Sequence, residues 1–244
     1  VHTEDAIGAI MRGKQVIIVG DTKQLPPTSF FSTSINDEDF DVDSDVIVDD
    51  GDAGAYESIL DEAVAILPER SLRWHYRSRH EHLIAFSNIK IYNNQLITFP
   101  SSTASAPDCG VEYVYVKDGV YDRGGKKNNI IEAQKVADLV FEHPNRSLGV
   151  VTFSEAQQNA VDAAIRQKRL QNPNLDKYFI EDKEEPFFIK NLENVQGDER
   201  DTIIFSIGYA KDNKGIMYMN FGPLSREGGY RRLNVAITRA KHNI

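Results

Sequence analysis

Ser147-Leu148-Gly149-Val150-Val151-Thr152-Phe153, followed at once by Ser154 and a run from Glu155 to about Leu170, is the stretch that decides the fold. An unbroken apolar run of this length is the pattern of a strand buried on both faces, as in a parallel sheet. Ser154 stands where a helix N-cap belongs, so the chain is expected to leave the strand and enter a helix immediately. The same strand-and-helix alternation extends outward in both directions. Upstream, Asn129 to Phe141 reads as a helix, Val111 to Val116 alternates as a strand, and Glu81 to Ile89 reads as a helix. Downstream, Phe187-Phe188-Ile189 and Thr202 to Ile207 are expected strands, and Arg231 to Lys241 reads as a closing helix. In that helix Leu233, Ala236, Ile237 and Ala240 recur at helical spacing, while Arg232 and Arg239, seven apart, are expected to share a face.

Nearer the N-terminus, Glu4 to Arg12 reads as a short helix, Gln15 to Gly20 as a buried strand, and Tyr56 to Leu67 as a helix with Ile59, Leu60, Ala63, Ile66 and Leu67 on one face. Alternating strands and helices predict the α/β class, with a mostly parallel sheet flanked by helices on both faces. Residues 1–68 hold one clear strand, too few for a sheet, and read as the tail of a domain whose earlier strands are missing. Residues 69–244 read as a second domain.

Composition narrows the functional classes. The 244 residues are 41% hydrophobic and 27% charged, as in an ordinary soluble globular protein. No apolar run is long enough for a bilayer and no leader opens the chain, so no membrane partner is expected. A single cysteine, Cys109, excludes an internal disulfide framework and a multi-cysteine zinc site, and a reducing, cytoplasmic setting is the simplest expectation. A net charge of −9 excludes holding nucleic acid by bulk charge and requires any such contact to be local. Much of the acidity lies in segment 34–53, where nine acidic residues between Asp37 and Asp52 have no Lys or Arg among them. Asp41, Asp43 and Asp45 have the opening spacing of a calcium loop. Val46 stands where Gly is required and Asp52 where Glu is expected, so the segment reads as a solvated loop.

Four segments carry chemical signals, each read as lying at or just beyond a strand end, where ligands bind in open α/β sheets. In Gly20-Asp21-Thr22-Lys23-Gln24-Leu25-Pro26-Pro27, Gly20 permits a tight exit, Asp21 accepts hydrogen bonds, and Gln24 offers a donor and an acceptor to phosphate or water. In Leu72-Arg73-Trp74-His75-Tyr76-Arg77-Ser78-Arg79-His80, three arginines suited to bidentate phosphate contact surround the only tryptophan. In Asn191 to Asp201, Gly197 allows close backbone approach, Glu199 can bind sugar hydroxyls, and Asn191, Asn194 and Gln196 suit a nucleic-acid backbone. The fourth is the closing helix. Taken singly, each has a plainer reading: a polar turn, a basic turn over a buried Trp74, a solvated loop and a surface helix. Gly8 to Gln15 approaches a phosphate-cradling loop, but Gln15 replaces the metal-binding hydroxyl and the segment follows a helix instead of a strand.

Together the four segments form a pattern. GDTKQLPP, LRWHYRSR, ENVQGDERD and RRLNVAITRAK, in this order, closely resemble motifs III to VI of superfamily 1 helicases. The nearest likeness is to the large bacterial DNA helicases of the Upf-like branch, and it spans nearly the whole chain. The resemblance implies two domains of the RecA-like P-loop NTPase fold that clamp ATP and magnesium between them, with single-stranded nucleic acid across both. By motif position, Gln24 would sense the γ-phosphate, Arg77 and Arg239 would be arginine fingers, and Glu199 would hold the ribose with Gly197 permitting the approach. Asp21 would brace its loop or meet the attacking-water network, and Arg232 would order the closing helix beside the nucleotide. Asn191, Asn194 and Pro26 would meet nucleic acid, DNA in preference to RNA; Phe30 and Phe31 offer rings on which bases could stack but read first as packing residues. Motif I and the magnesium-binding Asp-Glu pair of motif II are absent. The chain is therefore expected to be a fragment, inactive alone, whose partner is the rest of its own first RecA-like domain and whose magnesium ligands lie upstream. Two alternatives stay open on the sequence: an RNA helicase, and a non-catalytic α/β module that binds a protein.

Overall fold

In the computed structural model, residues 1–27, 56–101, 109–143, 146–179 and 184–244 are described. Phe30, Phe31 and the acidic segment 34–53 lie outside the described residues. The chain divides into two units, Val1–Ser71 and Leu72–Ile244.

In the first unit, helix α1 spans Thr3–Ile10 and carries Glu4 and Asp5 in its first turn, where acidic side chains suit the helix dipole. Helix α2 spans Ile59–Ile66, and its Ser58 N-cap accepts the Asp61 N–H. Two bonds join the helices' N-terminal ends: Ile59 N–H to Val1 O (3.1 Å) and Thr3 Oγ1 to a Glu62 carboxylate oxygen (2.8 Å). The expected strand at 15–20 is irregular, with Ile17 78% and Val19 77% exposed. A strand exists only as part of a ladder, and none of the described residues of this unit offers it one.

The second unit holds the sheet. Helices α3 (His82–Lys90) and α4 (Ile130–Glu142) precede strand β1 (Leu148–Thr152), and helix α5 (Glu155–Gln171) follows it. Strands β2 (Phe188–Asn191) and β3 (Arg200–Ser206), helix α6 (Gly229–Ile237) and strand β4 (Ala240–Asn243) complete the order. The sheet runs β2-β1-β3-β4 with every pairing parallel, as the apolar runs predict. Gly149 sits opposite Phe188, and Leu148 opposite Thr202.

The core explains the order. Ala133, Val136, Ala137 and Val140 of α4, Leu148 and Val150 of β1, and Ala160, Val161 and Ile165 of α5 form one buried cluster. Val151 and Ile203 point to the opposite face and are also fully buried, so both faces of the sheet are covered. Ser154 accepts the Gln157 N–H and Asn129 the Glu132 N–H, so α5 and α4 both start on side-chain caps. Gly149 is required by packing, since a Cβ there would fall 2.4 Å from the Phe188 ring.

Two further expectations change. Residues 111–116 form no strand; Gly110 bridges Asn243, and the Glu112 N–H reaches Ile244 O, before the segment leaves the sheet edge. The closing helix stops at Ile237 instead of running to Lys241. Thr238 caps it with Oγ1 on Val235 O, and Ala240 then pairs with Arg200 of β3. Helical spacing continues through Ala240, but the sheet captures that residue. Arg232 and Arg239 therefore share no helix face.

Candidate nucleotide and nucleic-acid sites

The first unit contributes a self-closed turn. Asp21 accepts from the Lys23 N–H (2.9 Å) through one carboxylate oxygen and from Gln24 Nε2 (3.0 Å) through the other, while the Gln24 N–H returns to Asp21 O. Gly20 lets this turn lie against α2, since a Cβ there would meet Leu60 at 2.8 Å. Asp21, Gln24 and Pro26 thus occupy one short, half-buried turn. Gln24 donates an amide N–H to Asp21, and among the described residues its carbonyl oxygen accepts no hydrogen bond.

In the second unit, a charged cluster gathers where the strands begin. Glu199 directly precedes β3, Arg239 directly precedes β4, and Ser147 directly precedes β1. The parallel sheet therefore places them all at its amino-terminal end. This corrects the expectation of the carboxyl ends: the chain reaches Glu199 and Arg239 just before each strand starts.

Arg77 donates from Nε to a Glu199 carboxylate oxygen (2.9 Å) and from Nη1 to Thr238 O (3.4 Å). Its segment is pinned on both sides, by His75 Nε2 accepting the Ser78 N–H and by the Arg79 N–H donating to Lys241 O (2.7 Å). Burial and the neighbouring Arg77 hold His75 below its ordinary pKa, which suits this neutral, accepting ring nitrogen. Glu199 is held in turn by the structural Arg200, which donates to Glu199 O (2.6 Å) and Pro186 O and lies over the Phe188 ring. Partial burial pushes the Glu199 carboxyl up, but Lys241 and Arg77 outweigh it and hold the pKa below its ordinary value.

Arg239 is only 4% exposed. Its hydrogen bonds go to neutral acceptors, Nε to Val235 O (2.8 Å) and Nη2 to Thr238 Oγ1 (2.9 Å). Among the described residues no carboxylate lies within ion-pair distance of it. Burial and the Arg77 charge push its pKa down to about 10, so it remains a cation at neutral pH. A buried cation whose nearest carboxylates, Glu199 and Asp198, act on it only from beyond ion-pair distance is costly, and it lowers that cost by meeting an anion. Arg77 and Arg239 both bond Thr238, so two guanidiniums converge on one residue that the motif reading did not single out.

The remaining residues lie elsewhere. At the carboxyl end of β2, Asn191 Oδ1 accepts the Glu193 and Asn194 N–H groups (3.1 Å each), closing a turn that leaves Asn194 exposed. Arg232 pairs with Glu193 of this same turn (2.5 Å) and not with the Arg77 cluster. Gly197 has φ +93 with open space around it, so its backbone conformation requires glycine. Trp74, buried only in the plainer reading of its segment, is 61% exposed and stacks on Phe99 at 5.2 Å. Sequence reasoning also passed over Lys241, Glu185 and Ser147, which complete the charged cluster.

Among the described residues, no helix is long and apolar enough to cross a membrane, and no group of three or more His, Cys, Asp or Glu could hold a metal ion.

Comparison with known proteins agrees with this picture. Residues 56–244 match the family described as AAA domain. A protein of Mycoplasma pneumoniae named as an uncharacterized ATP-dependent helicase is 37% identical over 257 residues, covering 100% of this chain and 22% of that protein. The human protein named probable helicase senataxin is 26% identical over 255 residues, covering 96% of this chain and 8% of its own length. The Dictyostelium discoideum regulator of nonsense transcripts 1 is 26% identical over 259 residues, covering 99% of the chain and 17% of its own. The chain thus spans about a fifth or less of the length of these relatives. Its parallel sheet and flanking helices are the α/β, RecA-like P-loop NTPase fold.

Proposed function

The chain belongs to this AAA-domain family, in the Upf-like branch of the superfamily 1 helicases, and we propose that it supplies the arginine-finger side of an ATP-dependent helicase motor. In this reading residues 1–68 are the tail of a first RecA-like domain and residues 69–244 form the second. The observation that carries it is Arg239, a buried cation with only neutral acceptors, set beside Arg77. Two guanidiniums on one residue suit the negative charge of a phosphoryl group in transfer.

The residues present fit ATP. Arg77 and Arg239 would hold the phosphates, Glu199 the ribose hydroxyls, and Gln24 the γ-phosphate side. ATP supplies the phosphoanhydride whose hydrolysis drives the motor. We assign the magnesium ligands to the rest of the full-length protein, and the isolated chain is expected not to hydrolyse ATP. The exposed turn of Asn191 and Asn194, with Pro26 in its own turn, is assigned to single-stranded nucleic acid. DNA is the proposed strand, on the likeness of the four motifs to the large bacterial branch. Stimulation of the full-length ATPase by single-stranded DNA and by RNA of matched sequence, measured side by side, decides between them.

In the full-length protein, Arg239→Ala is expected to lower nucleic-acid-stimulated ATPase by about a thousandfold or more while leaving the circular dichroism spectrum unchanged. Stimulated turnover retained in that variant would sink the assignment.

A further inference from the structure

Lys241 lies at the centre of the charged cluster and is unused by the reading above. Its Nζ donates to one Glu185 carboxylate oxygen at 2.6 Å and lies 3.3 Å from the Glu199 oxygen that Arg77 leaves free. The other Glu185 oxygen accepts from Ser147 Oγ, which is also within 3.4 Å of the Asp201 N–H. The Lys241 carbonyl accepts the Arg79 N–H, two residues beyond Arg77. One residue thus touches the finger segment through its backbone and the ribose-assigned carboxylate through its side chain.

We infer that Lys241 is a positioning residue that frees Arg77 for the phosphate by holding Glu199 in place as its second counter-ion. The inference rests on the helicase reading. Glu199 carries two cations, Arg77 on one oxygen and Lys241 on the other. When Arg77 turns from Glu199 toward a phosphoryl group, the carboxylate keeps Lys241 as its counter-ion. Glu185, fixed by Ser147, stops Lys241 from following Arg77. Without Lys241, Arg77 becomes the only cation on Glu199 in this cluster, and its departure would strand a bare, partly buried carboxylate. The finger would then stay paired with Glu199.

Lys241 Nζ is held by both carboxylates, and each Glu199 oxygen by one cation. A carboxylate between two cations keeps one when it loses the other, so Glu199 is not left bare when Arg77 departs. Lys241 sits on β4 and Arg77 ahead of α3, so the strand that captures the end of the motif VI segment also sets the charge that controls motif IV.

The test uses the full-length protein at saturating ATP and nucleic acid, comparing Lys241→Met, Lys241→Arg and Lys241→Met with Glu199→Gln. Lys241→Met is expected to lower kcat by about fivefold, with a smaller change in KM for nucleic acid. Lys241→Arg should stay within about twofold of wild type, because a second cation is restored. Adding Glu199→Gln to Lys241→Met should raise kcat again, since a neutral amide no longer retains Arg77. A residue that merely braces the fold would behave otherwise: its loss would multiply with that of Glu199 and would track the melting temperature. Losses that multiply, an arginine variant as slow as the methionine one, or an unchanged kcat in Lys241→Met would each overturn the positioning role alone. Wild-type protein without stimulated turnover would overturn the helicase reading and this inference with it.

Discussion

At the amino-terminal end of the sheet, Arg77, Glu199, Arg239, Lys241 and Glu185 form a charged set in which Lys241 bridges the two carboxylates, Arg77 pairs with Glu199, and Arg239 has no carboxylate within ion-pair distance among the described residues. At the carboxyl-terminal end, Gln157 is fully buried and bonds in three directions: it accepts the Asn129 N–H (2.8 Å) and donates to Ser206 Oγ (2.9 Å) and Asn129 O (3.3 Å). Ser206 Oγ and the Gly208 N–H then converge on one carboxylate oxygen of Glu132, in the first turn of α4. The difference separates two jobs. Neutral amides with every bond made fix β1, β3, α4 and α5 in one arrangement, and moving any of them strands a buried polar group. Shared ion pairs, partly open to solvent, exchange partners at small cost. One end of the sheet is scaffold, and the other carries the charged cluster proposed above to meet an anion.

That contrast makes its largest prediction at Arg239. A buried guanidinium placed for function contributes little to stability, so Arg239→Met should leave the folded state as stable as wild type, or more stable by about 1 kcal/mol. Stimulated turnover of the full-length protein should nevertheless fall by about a thousandfold or more. Chemical denaturation and ATPase on the same preparation check both halves. A loss of several kcal/mol would instead make Arg239 part of the scaffold and erase the distinction between the two ends.

The opposite end should show the reverse. Gln157→Ala strands the Asn129 N–H and removes the donor to Ser206, both buried. We expect a loss of about 3 kcal/mol in urea denaturation, from cavity and unmet hydrogen bonds together. If Gln157→Ala is neutral, water or a neighbouring side chain has replaced the amide, and the carboxyl end is less rigid than its bonding implies.

These expectations show what could be read in the chain and what could not. Strand β1 and its Ser154 cap were legible because every determinant is local: five consecutive buried residues and a hydroxyl at the next turn. Residues 15–20 and 111–116 have equally good strand composition, yet composition cannot supply the neighbouring strand a ladder needs. The Arg231 to Lys241 stretch misled for a related reason. Its spacing is helical to the end, but Ala240 lies beside Arg200, forty positions earlier, and that pairing is invisible to periodicity.

The candidate site divides in the same way. Arg77, Glu199 and Arg239 were legible through motif order, since each residue type matches a chemical need of nucleotide binding. That Arg77 grips Glu199 across 122 positions was not legible, nor was the convergence of both arginines on Thr238. Lys241, Glu185 and Ser147 are ordinary residues in sequence and acquire meaning only where parallel strands begin side by side. Arg232, assigned beside the nucleotide by its motif, pairs with Glu193 on the asparagine turn, a contact that motif order does not reveal.

The smallest expected effect separates the two ends by pH. Lys241 and Ser147 hold the Glu185 carboxyl below its ordinary value of 4.5, and Lys241 with Arg77 does the same for Glu199 against the opposing effect of burial. A depressed carboxylate pKa contributes stability that is fully present above the ordinary value and is lost as pH falls through the lower, folded one. Lys241 is raised above 10.5, chiefly by its bond to Glu185, so its contribution is present below that value and is lost only as pH climbs through the raised one. The charged end should therefore be at full strength near neutrality and weaken on the acid side, below 4.5. Because these side chains are 23% to 42% exposed, each pair is worth under about 1 kcal/mol, less in high salt. Denaturation midpoints taken between roughly pH 3 and pH 7 should show a shallow acid limb that Glu199→Gln flattens. Gln157→Ala should lower the whole curve without changing the slope of that limb. Should Glu199→Gln leave the limb as steep as before, the acid sensitivity arises elsewhere, and the charged cluster is more rigid than its shared ion pairs imply.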